Sequence, residues 1–278
     1  MLLAFDIGNT EITVGLFSEG RLLANWRVQT ATERSADEYA MIVDHLFDYE
    51  GYGFGDVDNV IISSVVPSVL HTFRRLSEKY FGIPAIVVES GIKTGLIVKY
   101  DNPKQVGGDQ IVNAVAAVNK YGGPLIVVDF GTATTVCAID GRDEYLGGTV
   151  SPGLKISSDA LFEKTAMLPK VELDAPGRII CGNTVESMQA GLIYGHVGMI
   201  EYTVSEMKKE MEAAGDMEPI KVIATGVYTD MMMKAGLSCI DHVDEFLALE
   251  GLEILYEKNS RERKTASGKH IWEKNTEK

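Results

Sequence analysis

One pattern occurs twice in this chain, and it limits the available folds more than any other feature. Residues 2–17 read LLAFDIGNTEITVGLF and residues 125–140 read LIVVDFGTATTVCAID. In each copy four apolar residues lead into an aspartate, Asp6 or Asp129. One apolar residue and a glycine follow (Gly8, Gly131), then small hydroxyl or amide residues. Each copy reads as strand, tight turn, strand. Each is followed by alternating helical and buried-strand patterns, so the chain is expected to be a duplicated α/β unit with its boundary near residue 120.

The remaining elements fit that plan. Residues 1–28 read as a three-stranded meander, turning again at Ser18-Glu19-Gly20. Ser35 and Glu38 form a capping-box signature, with Tyr39, Ile42, Val43, Leu46 and Phe47 at helical spacing behind it. NVIISSVV (59–66) and AIVVE (85–89) read as buried strands around a helix carrying Val69, Phe73, Leu76 and Tyr80. A helix over 109–120 closes the first half. After the second hairpin come a helix from about Leu154, a long helix capped at Asn183, the strand KVIAT (221–225) and a helix over 243–257. The expected domains are 1–120 and 121–257. Residues 258–278 are polar with little periodicity, and are expected to be a disordered tail.

Composition excludes several classes. A formal net charge of −14 argues against a nucleic-acid partner, whose phosphates call for clustered Lys and Arg. No apolar run approaches the ~18 residues of a membrane span, and no basic segment precedes the first apolar run as in a signal peptide. Three widely spaced cysteines, with no CxxC and no HExxH, argue against a thiolate metal site or a disulfide framework. The expected setting is a reducing cytoplasm.

An acid at a strand end followed by Gly and Thr suits phosphate and cation chemistry. Gly lets backbone N–H groups approach an anion. Asn9, Thr10, Thr132 and Thr134 add neutral donors, and Asp6 and Asp129 bring the oxygens a cation needs. Either turn alone reads first as plain hairpin chemistry; two at matched places favour a site. GxGxxG does not follow the first strand, and the lone Gly268-Lys269 pair has no P-loop frame.

The paired hairpins resemble those of the acetate kinase, sugar kinase, Hsp70 and actin superfamily. Within it the chain is similar to the type III pantothenate kinases. The shared stretches are DIGNT, SSVVP, TGL with KYDNP, VGGDQ, DFGTATT, GGTVSPG, GNTVESMQAG and VIATG, in family order over residues 1 to 257. The resemblance implies two RNase H-like domains with an ATP cleft between them, and ATP-dependent phosphorylation of pantothenate, the first step of coenzyme A synthesis. It implies that Asp6, Ile7, Gly8, Asn9, Thr10, Glu11, Ile12 and Thr13 bind ATP, with Thr132 helping. It makes Asp129 the ligand of a monovalent cation, K⁺ or NH₄⁺, with Mg²⁺ accompanying ATP. Tyr100, Gly107, Gly108, Asp109, Gln110 and Thr184 would bind pantothenate, with Asp109 as general base, in a homodimer. The residues by themselves leave plainer readings open: Asp109 and Thr184 as helix caps, and Tyr100 as a packing residue at a strand end.

Four positions stand out against the family pattern. The family usually reads Gly-Ala-Asp-Arg where this chain has Gly107-Gly108-Asp109-Gln110. Gln cannot form the bidentate ion pair that Arg would make with the pantothenate carboxylate. Val227 replaces a second glycine after VIATG, and Glu11 puts a negative charge beside a phosphate turn. Two functions therefore stand: a working pantothenate kinase with altered acid recognition, or a degenerate paralog that binds nucleotide or a pantothenate-like ligand with little catalysis.

Overall fold

The computed structural model describes residues 1–272, with side chains as far as Ser260. Its chain packs as two units. Unit 1 comprises Met1–Gly95, Lys104–Ala116 and the chain from Ala248; unit 2 comprises Leu96–Pro103 and Ala117–Leu247.

Unit 1 is built on a sheet of β1 (Leu2–Ile7), β2 (Glu11–Ser18), β3 (Arg21–Gln29), β4 (Asn59–Ser64) and β5 (Ile86–Val87), in the order β3-β2-β1-β4-β5. The first three strands are antiparallel, as short turns require, and β4 and β5 join in parallel after helical crossovers. Helices α1 (Ala36–Glu50) and α2 (Pro67–Leu76) supply those crossovers. Ser35 and Glu38 form the reciprocal cap expected of α1. One sheet face, with Leu3, Phe5, Ile7, Val60 and Ile62, packs on Tyr39, Val43, Phe47 and Phe73 of those helices.

Period two sends Ala4, Asp6, Ile61 and Ser63 to the opposite face. There stand α3 (Gly108–Tyr121) and α7 (Leu247–Trp272). Leu249 of α7 presses on Gly15 of β2, and a Cβ at Gly251 would overlap the Val112 carbonyl of α3. Leu249, Leu252 and Leu255 are buried. The last helix is thus a wall of unit 1, which corrects the expectation of two consecutive halves. The expected tail over 258–278 is helical through Trp272; its remainder lies outside the described residues.

Unit 2 repeats the plan. Strands β6 (Ile97–Val98), β7 (Leu125–Phe130), β8 (Ala133–Ile139), β9 (Glu144–Pro152), β10 (Lys221–Thr225) and β11 (His242–Val243) follow the order β11-β10-β7-β8-β9-β6. Read from the other edge, β9-β8-β7-β10-β11 is the β3-β2-β1-β4-β5 order of unit 1, with β6 added beyond β9. Helices α4 (Leu154–Lys164), α5 (Thr184–Ala214) and α6 (Thr229–Lys234) complete the unit. Ile193, Val197, Ile200 and Val204 of α5 pack on Ile126, Val128 and Phe130. Among the described residues no helix is long and apolar enough to cross a membrane.

Candidate active site

In unit 1 the β1–β2 hairpin places Asp6 at a strand end between two hydroxyl residues. Its register partner on β2 is Thr13 and on β4 is Ser63. Unit 2 repeats this row: Asp129 on β7 is flanked by Thr135 on β8 and Thr225 on β10. The duplication seen in the sequence therefore extends to which residues lie beside each aspartate. Cross-strand neighbours share a face, so each carboxylate is bordered by groups that can donate to it or to an oxygen ligand.

The turn after Asp6 divides its residues by role. Ile7 and Ile12 are buried in the core, so their share in any ligand site is through backbone alone. The Gly8 N–H donates to the Glu11 carbonyl at 2.9 Å, and the Gly8 carbonyl accepts from Thr30 Oγ1 at 2.8 Å. Asn9 and Thr10 form the exposed tip. Glu11 is 3.6 Å from Arg27 on β3, which offsets its negative charge beside the turn.

The first turn of α3 stands over the same face. The Gly107 carbonyl accepts the N–H of Ile111 at 3.1 Å, which makes Gly107 the cap position and sets Asp109 inside the first turn. Asp109 is therefore not the N-cap. Its Oδ1 accepts the Gln110 N–H at 2.8 Å. Burial pushes the Asp109 carboxyl above its ordinary range, against the lowering effect of hydrogen bonds from the Gln110 and Asp109 backbone. A Cβ at Gly108 would lie 3.4 Å from Ser63 Oγ and 3.6 Å from the Val88 carbonyl. Unit 1 thus brings Asp6, the hairpin tip and Asp109 to the C-terminal ends of β1 and β4, the usual place for a ligand in a parallel sheet.

In unit 2, Asp129 is closely framed. Gly226 has φ +98°, and a Cβ there would lie 2.5 Å from Asp129 Oδ1 and 2.6 Å from the Phe130 backbone. Only glycine suits both the conformation and the approach. Val227 follows outside the left-handed region and is exposed, so it fits this turn without strain. Gly153 seats the start of α4 against the carbonyls of Gly131 and Thr132, and its N–H donates to the latter at 3.2 Å. The two other candidates of this unit stand on different elements. Tyr100 lays its ring against Gly147, 3.4 Å from a Cβ position there. Thr184 is the exposed first residue of α5; the cap is Asn183, whose side chain accepts the Glu186 N–H at 2.9 Å. Thr184 borders an open groove of about 710 Å³ with Leu161, Leu168, Met188 and Leu192.

Among the described residues no group of three or more His, Cys, Asp or Glu could hold a metal ion. Single carboxylates framed by hydroxyls and carbonyls suit a weakly held monovalent cation, or a divalent ion brought by phosphates, better than an all-protein divalent cage. Ser63, Gly153 and Gly226 carry parts that the sequence reading did not assign. Their signal was present in SSVVP, GGTVSPG and VIATG, but only register shows what they touch.

Residues 2–206 match the family model for type III pantothenate kinase. The chain belongs to that family. Solved structures agree at the level of fold. A conserved Campylobacter jejuni protein named for the Baf family of transcriptional activators is 17% identical, with TM-score 0.55, covering 93% of this chain and 99% of its own. A Sinorhizobium meliloti protein named as a 2-dehydro-3-deoxygalactonokinase is 12% identical, with TM-score 0.52 and coverages of 92% and 98%. The family is one of kinases, and the repeated sheet order is that of its two actin-like domains.

Proposed function

We propose that this protein transfers the γ-phosphoryl group of ATP to the hydroxyl of pantothenate, giving 4′-phosphopantothenate at the entry to coenzyme A synthesis. The observation that carries the reading is the Asp109 carboxyl, raised by burial and set in the first turn of a helix over the strand end that holds Asp6. Phosphoryl transfer asks for positioning, charge neutralisation and an acceptor for the alcohol proton. Asp109 is the group whose environment suits the last role, because a base works best when its pKa is brought toward the working pH.

The other roles follow the family assignments. The Asp6–Thr13 turn binds ATP phosphates through its exposed tip and backbone, and Thr132 assists. Asp129 holds K⁺ or NH₄⁺, which supplies fixed positive charge near phosphate, and Mg²⁺ arrives with the nucleotide. The single-carboxylate surroundings of Asp6 and Asp129 are compatible with both. Tyr100, Gly107, Gly108, Gln110 and Thr184 receive pantothenate. The protein acts in the cytoplasm as a homodimer; the exposed apolar Ile179, Ile180 and Val185 near Thr184 support an interface there.

A second reading draws on Gln110. If the neutral amide fails to hold the pantothenate carboxylate, the protein binds its ligands without efficient turnover. A coupled ADP-release assay separates the two, with pantothenate and Mg²⁺ present and K⁺, NH₄⁺ or Na⁺ compared at constant ionic strength. Pantothenate-dependent ADP release that falls in Na⁺ supports the kinase and its cation. Calorimetric binding of ATP and pantothenate with no ADP release would favour the second reading.

A further inference from the structure

Ser63, near the end of β4, is fully buried, and among the described residues its hydroxyl has no hydrogen-bond partner. Buried hydroxyls are nearly always partnered, since an unpaired one gives up its hydration for nothing. The position of this one is specific. Ser63 is the register partner of Asp6 and shares its sheet face. It reaches the first turn of α3, 3.4 Å from where a Cβ of Gly108 would stand, one residue ahead of Asp109. Unit 2 keeps a buried hydroxyl at the matching place, Thr225 beside Asp129.

A general base must be satisfied in two states. As a carboxylate it accepts hydrogen bonds, and as the acid it becomes after taking a proton it donates one. The Gln110 N–H that now holds Asp109 Oδ1 serves only the first state. A serine hydroxyl serves both by rotating about its C–O bond. Hydrogen bonds at such sites commonly tighten only once reactants are bound.

We propose that Ser63 is a positioning residue acting through Asp109: its hydroxyl partners the Asp109 carboxyl as the alcohol is engaged. It donates to the carboxylate before the alcohol proton is taken and accepts from the acid afterwards. The inference rests on the reading of Asp109 as general base. Other charged groups border this face: Asp6 on β1, and Glu11 on β2, which lies 3.6 Å from Arg27 on β3. Helix α3 carries no charged residue between Asp109 and Lys120. Glu89, after β5, is engaged by Arg74 at 3.0 Å.

The test compares the full-length wild type, Ser63→Ala, Asp109→Asn and the double variant. The Asp109 carboxyl is followed by ¹³C NMR titration with Mg·ADP and pantothenate both bound, so that the alcohol is in place, its resonance assigned by its absence in Asp109→Asn. Losing a donor to the carboxylate should move the Asp109 titration upward in Ser63→Ala, by on the order of tenfold in proton affinity. The melting temperature should stay level or rise, because an unpaired buried polar group has been removed. With pantothenate, kcat should fall on the order of tenfold with little change in KM, and Ser63→Ala should add nothing in the Asp109→Asn background. An Asp109 titration unmoved by Ser63→Ala overturns the proposal. So does an equal loss of kcat with or without Asp109, or a lowered melting temperature, which would show a partner already present in the resting protein. Binding of pantothenate without wild-type turnover would reject the functional reading instead, and the titration in that complex would still decide the role of Ser63.

Discussion

The carboxylate of Asp109 lies in the space left by the missing side chain of Gly107. A Cβ at Gly107 would overlap Asp109 Oδ1, while Gln110 Oε1 lies 3.8 Å from the same point. Gly107 does not have a left-handed φ, so alanine is allowed by the backbone there. Gly107→Ala should therefore fold normally yet push the carboxylate aside. A misplacement of this size typically costs about 10²-fold in rate. Steady-state kinetics beside a thermal melt check it: a large fall in kcat with an unchanged melt is expected, and full activity would show that the carboxylate works from another position.

Asp109→Asn should reduce turnover by about 10²–10⁴-fold, the usual contribution of a general base. It should also raise stability at neutral pH. The folded pKa of Asp109 lies above its unfolded value of about 3.9, so the native state binds the extra proton between the two. Stability from this group is thus present at low pH and lost as pH rises through the folded pKa. Asn mimics the neutral acid, and the excess stability of the variant should shrink on acidification. Urea titrations of both proteins at several pH values read the difference; a variant less stable at neutral pH would contradict it.

Gln110→Arg should raise kcat/KM for pantothenate. A hydrogen bond to a charged group contributes roughly 1.5–3 kcal/mol, and a neutral amide recovers only part of that. The deficit of about 1–2 kcal/mol corresponds to about 5- to 30-fold. An analogue lacking the carboxylate should gain less. An unchanged ratio would mean that the pocket has been rebuilt around Gln110.

His196 should make unit 2 acid-sensitive. Its Nε2 is 2.8 Å from Thr134 Oγ1 on β8, and burial lowers its pKa below the ordinary value. The native state then binds fewer protons than the unfolded chain between the two pKa values. The stabilising contribution is complete above the unfolded value of about 6.5 and falls as pH drops below it. Denaturation midpoints at pH 8 and pH 5.5 should differ more in the wild type than in His196→Gln. Equal differences would remove His196 from the effect.

The hairpins were legible in the sequence because strand alternation and Gly turns are local signals. Asp6, Asp129 and the Ser35–Glu38 cap follow from a few adjacent letters. The row Thr13–Asp6–Ser63 does not, since it depends on how β4 aligns beside β1 across a helical crossover. Ser63 reads in sequence as one more letter of SSVVP. Helix α7 shows the same limit. Its apolar spacing is visible, but its place in unit 1 depends on Leu249 meeting Gly15 and Gly251 meeting Val112. Asp109 reads as an N-cap from its surroundings, and only the Gly107 carbonyl accepting from Ile111 moves it into the turn.

The most direct measurement is mass-spectrometric detection of product after incubation with ATP, Mg²⁺, K⁺ and pantothenate, for the wild type and for Asp109→Asn. The wild type should accumulate 4′-phosphopantothenate with matching ADP, and Asp109→Asn should form it at least about 10²-fold more slowly. No phosphopantothenate from folded, ATP-binding wild type would contradict the assignment of pantothenate as substrate, and equal product from both proteins would contradict Asp109 as its base.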